Sequence, residues 1–261
     1  MSKEHNLYLK KLKKEKLIIS ISRIFIIIMF LGLWQILVDL NILNSFILSS
    51  PINIVKTFIS LIKTNNFFEH IFITIYETLI AFLLSTFLGI LFASLLWMSK
   101  RIAKIVDPFL TILNSLPKVS LGPIIIIWFG ANIKSIIIMA ILITIMTSII
   151  SIYQGFNKVD NNLIILMNSL NASKKQMFFK LILPYNYSNI ISTLKINISL
   201  SLIGVIMGEL LVSKKGIGYL IMYGSQVFNL NLVMAGIILL GIISAIIYYL
   251  ILILEKRLIK K

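Results

Sequence analysis

Acidic side chains are scarce in this chain, nine against twenty-five Lys and Arg, so the few inside long apolar runs are the first candidates for chemistry. Glu77 follows Thr74 and Tyr76 early in one apolar run, Asp107 precedes Pro108, and Glu209 follows Gly208 near the end of another. A carboxylate at the centre of a bilayer costs roughly 2.5–3.5 kcal/mol on insertion scales, less near the interface. Such a group has to pair, cap a helix or face water. Glu209 has two readings: an interfacial or paired acid, or one facing a solute path or outer gate. Glu77 can pair with Lys195 or Lys118. Asp107 suits the start of a helix. No His or nucleophile accompanies the three. His5 and His70 are far apart, cysteine is absent, and neither a Gly-rich loop ending in Lys-Ser/Thr nor a His-Glu-x-x-His run occurs. The expectation is a chain without catalytic residues, metal or cofactor.

The second group of polar residues is an interruption from Asn157 to Pro184, between two long apolar runs. Asp160, Asn161 and Asn162 can accept from free N–H groups at a helix start. Two turns fit Leu163 to Leu170. Asn171 stands where a left-handed residue would end them, a conformation Asn tolerates better than most. Ser173 can cap a second helix over Lys174–Leu183, which Pro184 ends. The interruption is thus expected to be two short helices joined by a sharp bend. Leu163, Leu166, Met167 and Leu170 make one apolar stripe; Phe178, Leu181 and Ile182 make another. Both stripes pack on the chain's own helices, or one covers those helices while the other meets a partner.

These residues are set in an unusually apolar frame. Of 261 residues 59% are apolar and 13% charged, with a mean hydropathy of +1.00, far from the balance of a soluble domain. Six runs reach the roughly 20 residues needed to cross a hydrocarbon core: Leu17–Val38, Ile71–Met98, Ile105–Phe129, Ser135–Ile152, Ile190–Val212 and Leu232–Leu254. Arg23 falls inside the first, with a stem long enough to reach the interface. With the N-terminus inside, eighteen Lys and Arg fall on the inner side and five outside, which puts both termini in the cytoplasm. The basic residues mark the ends of apolar runs and not one continuous face, so the net charge of +16 reflects lipid headgroups and not nucleic acid. Residues 1–16 form a basic tail and 17–261 one membrane domain. The lysines before the first run are followed by no small-residue cleavage site, so that run reads as an anchor.

Other features are placed by the same frame. The third run holds Pro108, Pro117, Lys118, Gly122 and Pro123. Broken backbone at membrane depth is tolerated where protein or a water-filled cavity covers it, so this is a kinked packing helix or one lining a path. Between residues 43 and 64, Ile54, Val55, Phe58, Ile59 and Ile62 recur at helical spacing with Asn53, Lys56 and Lys63 between them, as in a short helix on the membrane surface. Gly204 and Gly208 share a helix face and, with Gly89 and Gly130, allow close helix approach. Trp34, Trp97 and Trp128 sit near run ends, as interface anchors do.

The interruption also carries a resemblance. Val159-Asp160, Ser169-Leu170-Asn171-Ala172-Ser173, Phe178 and Lys180-Leu181-Ile182-Leu183-Pro184 resemble the cytoplasmic signature loop of binding-protein-dependent ABC transporter permeases. Leu113 to Pro123 with Trp128-Phe129-Gly130 resembles the third span of their nitrate, sulfonate and taurine subgroup. Gly204-Val205-Ile206-Met207-Gly208-Glu209 and Gly216-Ile217-Gly218-Tyr219-Leu220 resemble its region around the fifth span. The likeness runs in order from Trp34 to the C-terminus. Departures are Ile165-Leu166-Met167 for the usual Glu-Ala-Ala, Asn171 for Gly and Ser188 for a second Pro; the first removes a charge available to a partner.

The resemblance implies an all-α membrane protein of the type I ABC importer permease fold. Six spans would carry a coupling loop at about 155–188 between the fourth and fifth. It implies one half of a dimeric channel, with a homodimer expected, in a prokaryotic plasma membrane. Separate cytoplasmic ATPases would dock on the loop, through Asp160, Leu163, Leu166, Met167, Leu170, Asn171, Ala172, Ser173, Phe178 and Pro184, and an extracytoplasmic binding protein would deliver solute. Pro117, Gly122, Pro123, Gly208 and Glu209 become the candidates for path or gate. The implied solutes are small anions such as nitrate, sulfonates or taurine. A vitamin precursor (a thiamine pyrimidine or riboflavin) is the alternative within the same architecture, and an ion-gradient-driven transporter the alternative outside it.

Overall fold

The computed structural model describes residues 3–63 and 67–259, and every regular element among them is helical. Thr64, placed by the sequence at the end of the outer segment, lies outside the described residues. The chain divides into two compact units, residues 1–63 with 224–235 and residues 64–223 with 236–261.

In the first unit, α1 (Lys3–Asp39) carries the first apolar run. From Leu17 on, its large side chains are mostly exposed and only Val38 is buried. A helix apolar nearly all round and so little covered by protein is stable where lipid is the solvent. After it come α2 (Ser45–Leu48) and α3 (Pro51–Lys63), the amphipathic helix expected between residues 43 and 64. Of its apolar residues, Ile54 turns inward and is buried while Val55, Ile59 and Ile62 are exposed. Ile52 N donates to Gln35 Oε1 at 3.2 Å, and Ser49 Oγ donates to Asn231 Oδ1 at 2.7 Å.

The second unit is built on three long helices that pack pairwise: α4 (Phe67–Met98), α7 (Ile133–Phe156) and α11 (Tyr187–Val212). They approach closely because small residues face each other. A Cβ on Gly204 would lie 2.5 Å from Ala140 Cα, and one on Gly208 would lie 2.8 Å from Ile136 Cγ2. The two glycines therefore pack α11 on α7. Polar side chains tie the trio inside the apolar core. Asn197 Nδ2 donates to Thr86 Oγ1 and Ser148 Oγ, both at 3.0 Å, and Thr144 and Ser201 hydroxyls meet at 3.2 Å. In lipid such ties are typically worth about 0.6 kcal/mol each.

The irregular third span is two helices. α5 (Lys100–Ser115) and the segment Lys118–Phe129, a 3-10 turn leading into α6 (Gly122–Phe129), meet at 86°. Counting this bent pair as one, the described residues hold six candidate spans. Ser99, not Asp107, caps α5, its hydroxyl accepting from Ile102 N at 3.3 Å. Asp107 and Pro108 lie inside that helix, so the acid is not the cap expected of it.

The remaining helices complete the order. α8 (Asn161–Ser169), α9 (Lys174–Met177) and α10 (Leu183–Tyr185) come between α7 and α11, with α12 (Ile217–Gln226) and α13 (Leu230–Ile259) after it.

Candidate functional site

The polar interruption forms the bent pair of helices its sequence demands. Asp160 Oδ1 accepts from Asn162 N at 2.9 Å and starts α8. At the other end Asn171 takes a left-handed φ of 53°. Its N–H donates to Asn168 O at 2.9 Å, and that of Ala172 to Met167 O at 3.0 Å. Those two bonds are the paired 5→2 and 6→1 closure of a Schellman turn. Ser173 then caps α9, and the cap is reciprocal. Gln176 N donates to Ser173 Oγ at 3.3 Å while Ser173 N donates to Gln176 Oε1 at 2.8 Å. The Ser-x-x-Gln spacing signals this box in the sequence.

Pro184 does not end the second helix. Leu183 N donates to Phe178 O, five residues back, within a π turn over Phe178–Ile182. Pro184 enters α10 just after it, and the chain runs on into α11. In an α-helix its ring would strike the carbonyl of Lys180 and leave one acceptor unpaired. The wider turn admits the ring, and the chain leaves helix only at Asn186 (φ −91°, ψ 7°) before α11 begins.

The two helices of the insertion play different parts. Met177, Phe178 and Ile182 are buried with Ala93, Ile152 and Phe156 of α4 and α7. Phe178 lies tilted at 5.5 Å from Trp97 and edge-on at 5.5 Å from Phe156. Trp97 thus holds the insertion as well as marking a span end. Lys174 Nζ donates to Met98 O at 3.3 Å, capping α4. α8, by contrast, contributes no buried residue. Ile164 and Met167 lean on the core, and Leu163 is half-buried. Ile165, Leu166 and Leu170 are 61%, 54% and 69% exposed. The first stripe read from the sequence therefore splits, with Met167 facing in and Leu166 and Leu170 facing out.

The candidate path residues divide by burial. Pro117 and Pro123 are exposed on either side of the bend. Gly122 is buried against Leu211 and Met139, and Gly208 is buried against Ile136. Lys118 Nζ donates to Asn114 O at 3.1 Å and Oδ1 at 3.2 Å, closing the C-terminal end of α5.

Glu209 is 1% exposed. It accepts from Thr74 Oγ1 and from Gly218 N, each at 2.6 Å. Neither lysine considered for Glu77 reaches it. Lys195 pairs with Glu255 at 2.7 Å, and Lys118 is taken by Asn114. Sequence reasoning missed the Glu255 partner because the pair joins α11 to α13 across 60 residues of chain.

Residues 85–260 match the family model described as "binding-protein-dependent transport system inner membrane component". The chain belongs to this family. It is 31% identical, over 88% of its length and 83% of the relative's, to a Bacillus subtilis (strain 168) permease named for aliphatic sulfonates transport. It is likewise 31% identical to a formylaminopyrimidine transport permease of Halalkalibacterium halodurans, covering 74% of this chain and 76% of that one. A bacterial ABC transporter described as involved in import of the acidic polysaccharide alginate shares the fold, with a TM-score of 0.66 at 16% identity over 96% of this chain and 98% of that one. The resemblance read from the loop and from the third and fifth spans is thus borne out, and the chain is an ABC importer permease of the sulfonate, taurine and nitrate type. As a multi-pass inner-membrane permease of this family it implies ATPase and solute-binding-protein partners. The ion-gradient alternative falls with that membership.

Proposed function

We propose that this permease subunit is driven by separate ATPases docking on the 157–184 insertion, chiefly on Ile165, Leu166 and Leu170 of α8. The observation that carries this reading is the contrast within one insertion. Its second part sinks Met177, Phe178 and Ile182 into the core beside Trp97 and leaves only Phe179 of its large apolar side chains mostly exposed, while its first buries none and leaves three uncovered. An uncovered apolar cluster on a short helix outside the candidate spans is suited to meet another protein. Asp160, Leu163, Met167, Asn171, Ala172 and Ser173 set the bend, Phe178 fastens it, and Pro184 with its π turn joins it to α11. Closure of the ATPases moves this handle and switches the bundle between two packed arrangements. Two copies of the permease make the channel, both termini lie in the cytoplasm, and Pro117 and Pro123 line the bend in the path.

Small sulfonates or related anions are the proposed solutes, supported by the sulfonate-named relative. The formylaminopyrimidine-named relative, at equal identity, favours a vitamin precursor as the second reading. The chain has no cysteine, so Leu166→Cys supplies one unique thiol. Cross-linking from it to the ATPase encoded with this permease is the expected result. Cross-links confined to the permease's own helices would refute the docking assignment. Competition of uptake by taurine against formylaminopyrimidine separates the two solute classes.

A further inference from the structure

We propose that Glu77 and Glu209 form a site for a single proton: a carboxylic acid at Glu77 donates to the carboxylate of Glu209 and fastens α4 to α11. Both groups are withdrawn from solvent, at 0% and 1% exposure. Glu209 holds the negative charge because donors converge on it. Thr74 Oγ1 reaches one oxygen and Gly218 N the other. Thr74 Oγ1 also accepts from Ile217 N at 2.9 Å, so the same hydroxyl ties in the turn before α12. Neither oxygen of Glu77 has a hydrogen-bond partner among the described residues, and Glu77 stands one turn along α4 from Thr74, which donates to Glu209, so the two acids share one face of the α4–α11 contact. Two bare carboxylates cannot stay together in an apolar interior. One proton between them resolves the conflict and supplies the donor that Glu77 lacks.

A metal cation is the other solution, and the packing disfavours it. A Cβ at Gly216 would stand 2.2 Å from Glu209 Oε1, and one at Gly218 would stand 2.7 Å from Glu209 Cβ. The carboxylate is thus pressed against backbone. Two carboxyls and one hydroxyl supply five oxygens, two of them already accepting short hydrogen bonds, where a cation such as calcium takes six to eight. The surrounding titratable groups do not compensate either. On α4, Glu69 is paired with Lys215, and His70 Nδ1 accepts from Gly216 N at 2.9 Å, so that nitrogen carries no proton. Lys214 belongs to the connection after α11 and is exposed. On α12, Tyr219 stacks on His70. α7 meets this part of α11 with Ile136 and Ala140. The site depends on no ATPase or binding protein and stands or falls apart from the docking assignment.

The test is infrared spectroscopy of the full-length permease in nanodiscs at neutral pH, with Glu77→Gln and Glu209→Gln beside it. A protonated-carboxyl stretch is expected in the wild type and lost in Glu77→Gln. That variant should fold with an unchanged thermal midpoint, since its amide N–H replaces the donated proton. Glu209→Gln should lower the midpoint, because an amide cannot accept from both Thr74 and Gly218 on its two ends. Absence of the stretch in the wild type, its survival in Glu77→Gln, or failure of Glu77→Gln to fold would each overturn the site. A stretch abolished by sodium or calcium at constant pH would assign the pair to a cation instead.

Discussion

Replacing Leu166 and Leu170 together by alanine separates docking from folding. Complete burial of a leucine side chain is worth about 1.5–3 kcal/mol. Leu166 and Leu170 are 54% and 69% exposed, so covering what remains gives about 1–1.5 kcal/mol each, or about 2–3 kcal/mol for the pair. That is roughly a 30- to 150-fold weaker ATPase complex. The permease itself should lose no more than about 0.5 kcal/mol, the usual scale for exposed substitutions. Phe178→Ala is the converse control. Its side chain is 4% exposed between Trp97 and Phe156, and truncation of a buried phenylalanine costs about 3–5 kcal/mol. The assay is ATPase titration onto permease in nanodiscs, with the thermal midpoint of each variant measured alone. A double variant that melts as low as Phe178→Ala would show that α8 is packed on its own helices. One that binds the ATPase like the wild type would show that α8 is not the handle.

Three further substitutions probe the frame around these sites. Asn171→Gly keeps the left-handed turn and should bind ATPase normally, whereas Asn171→Pro fixes φ near −65° against the observed 53° and removes the bond to Asn168 O; pull-down should fail although membrane insertion is intact. Gly204→Leu drives a Cβ to within 2.5 Å of Ala140 Cα and should collapse the yield of folded protein on size-exclusion chromatography, while Gly241→Leu, with nothing within 4 Å of its Cβ, should be neutral. Gly216→Ala meets both a φ of 103° and the Glu209 carboxylate, and a loss of more than about 2 kcal/mol is expected in unfolding of the purified permease.

What the sequence made legible was local. Asp160, Asn171 and Ser173 announce their caps and turn by residue type, because a cap is decided within four residues of chain. The six apolar runs announce spans because the bilayer sets one length for all of them. Legibility failed where the outcome depends on a partner far along the chain. Nothing near Lys195 points to Glu255, and nothing near Glu77 says that its neighbour is another acid. The stripe of Leu163, Leu166, Met167 and Leu170 was visible, but which half faces the core depends on where α4 and α7 end. Pro184 misled for a different reason. Its effect on a helix was judged for the α register, and the chain answered by widening one turn.

That widened turn gives the two sites a common element. α11 starts directly beyond the π turn and α10, and it carries Glu209 three residues before its last, Val212. Its 26 residues make a rod of about 39 Å at 1.5 Å per residue, enough to cross the hydrocarbon core. Had Pro184 ended the helix, a hinge would separate insertion from rod, and displacement of α8 and α9 would dissipate there. Instead the insertion runs through α10 into α11, Phe178 and Ile182 fasten it to α4 and α7, and the far end of α11 is fixed to α4 through Thr74. On the proposed coupling, a push on the insertion reaches α11 through α10 and the single turn residue Asn186, and the other end of α11 is held by short hydrogen bonds to one carboxylate. A lever held at both ends moves between packed arrangements or not at all, and this chain places its fastenings, buried and fully specified, at those two ends.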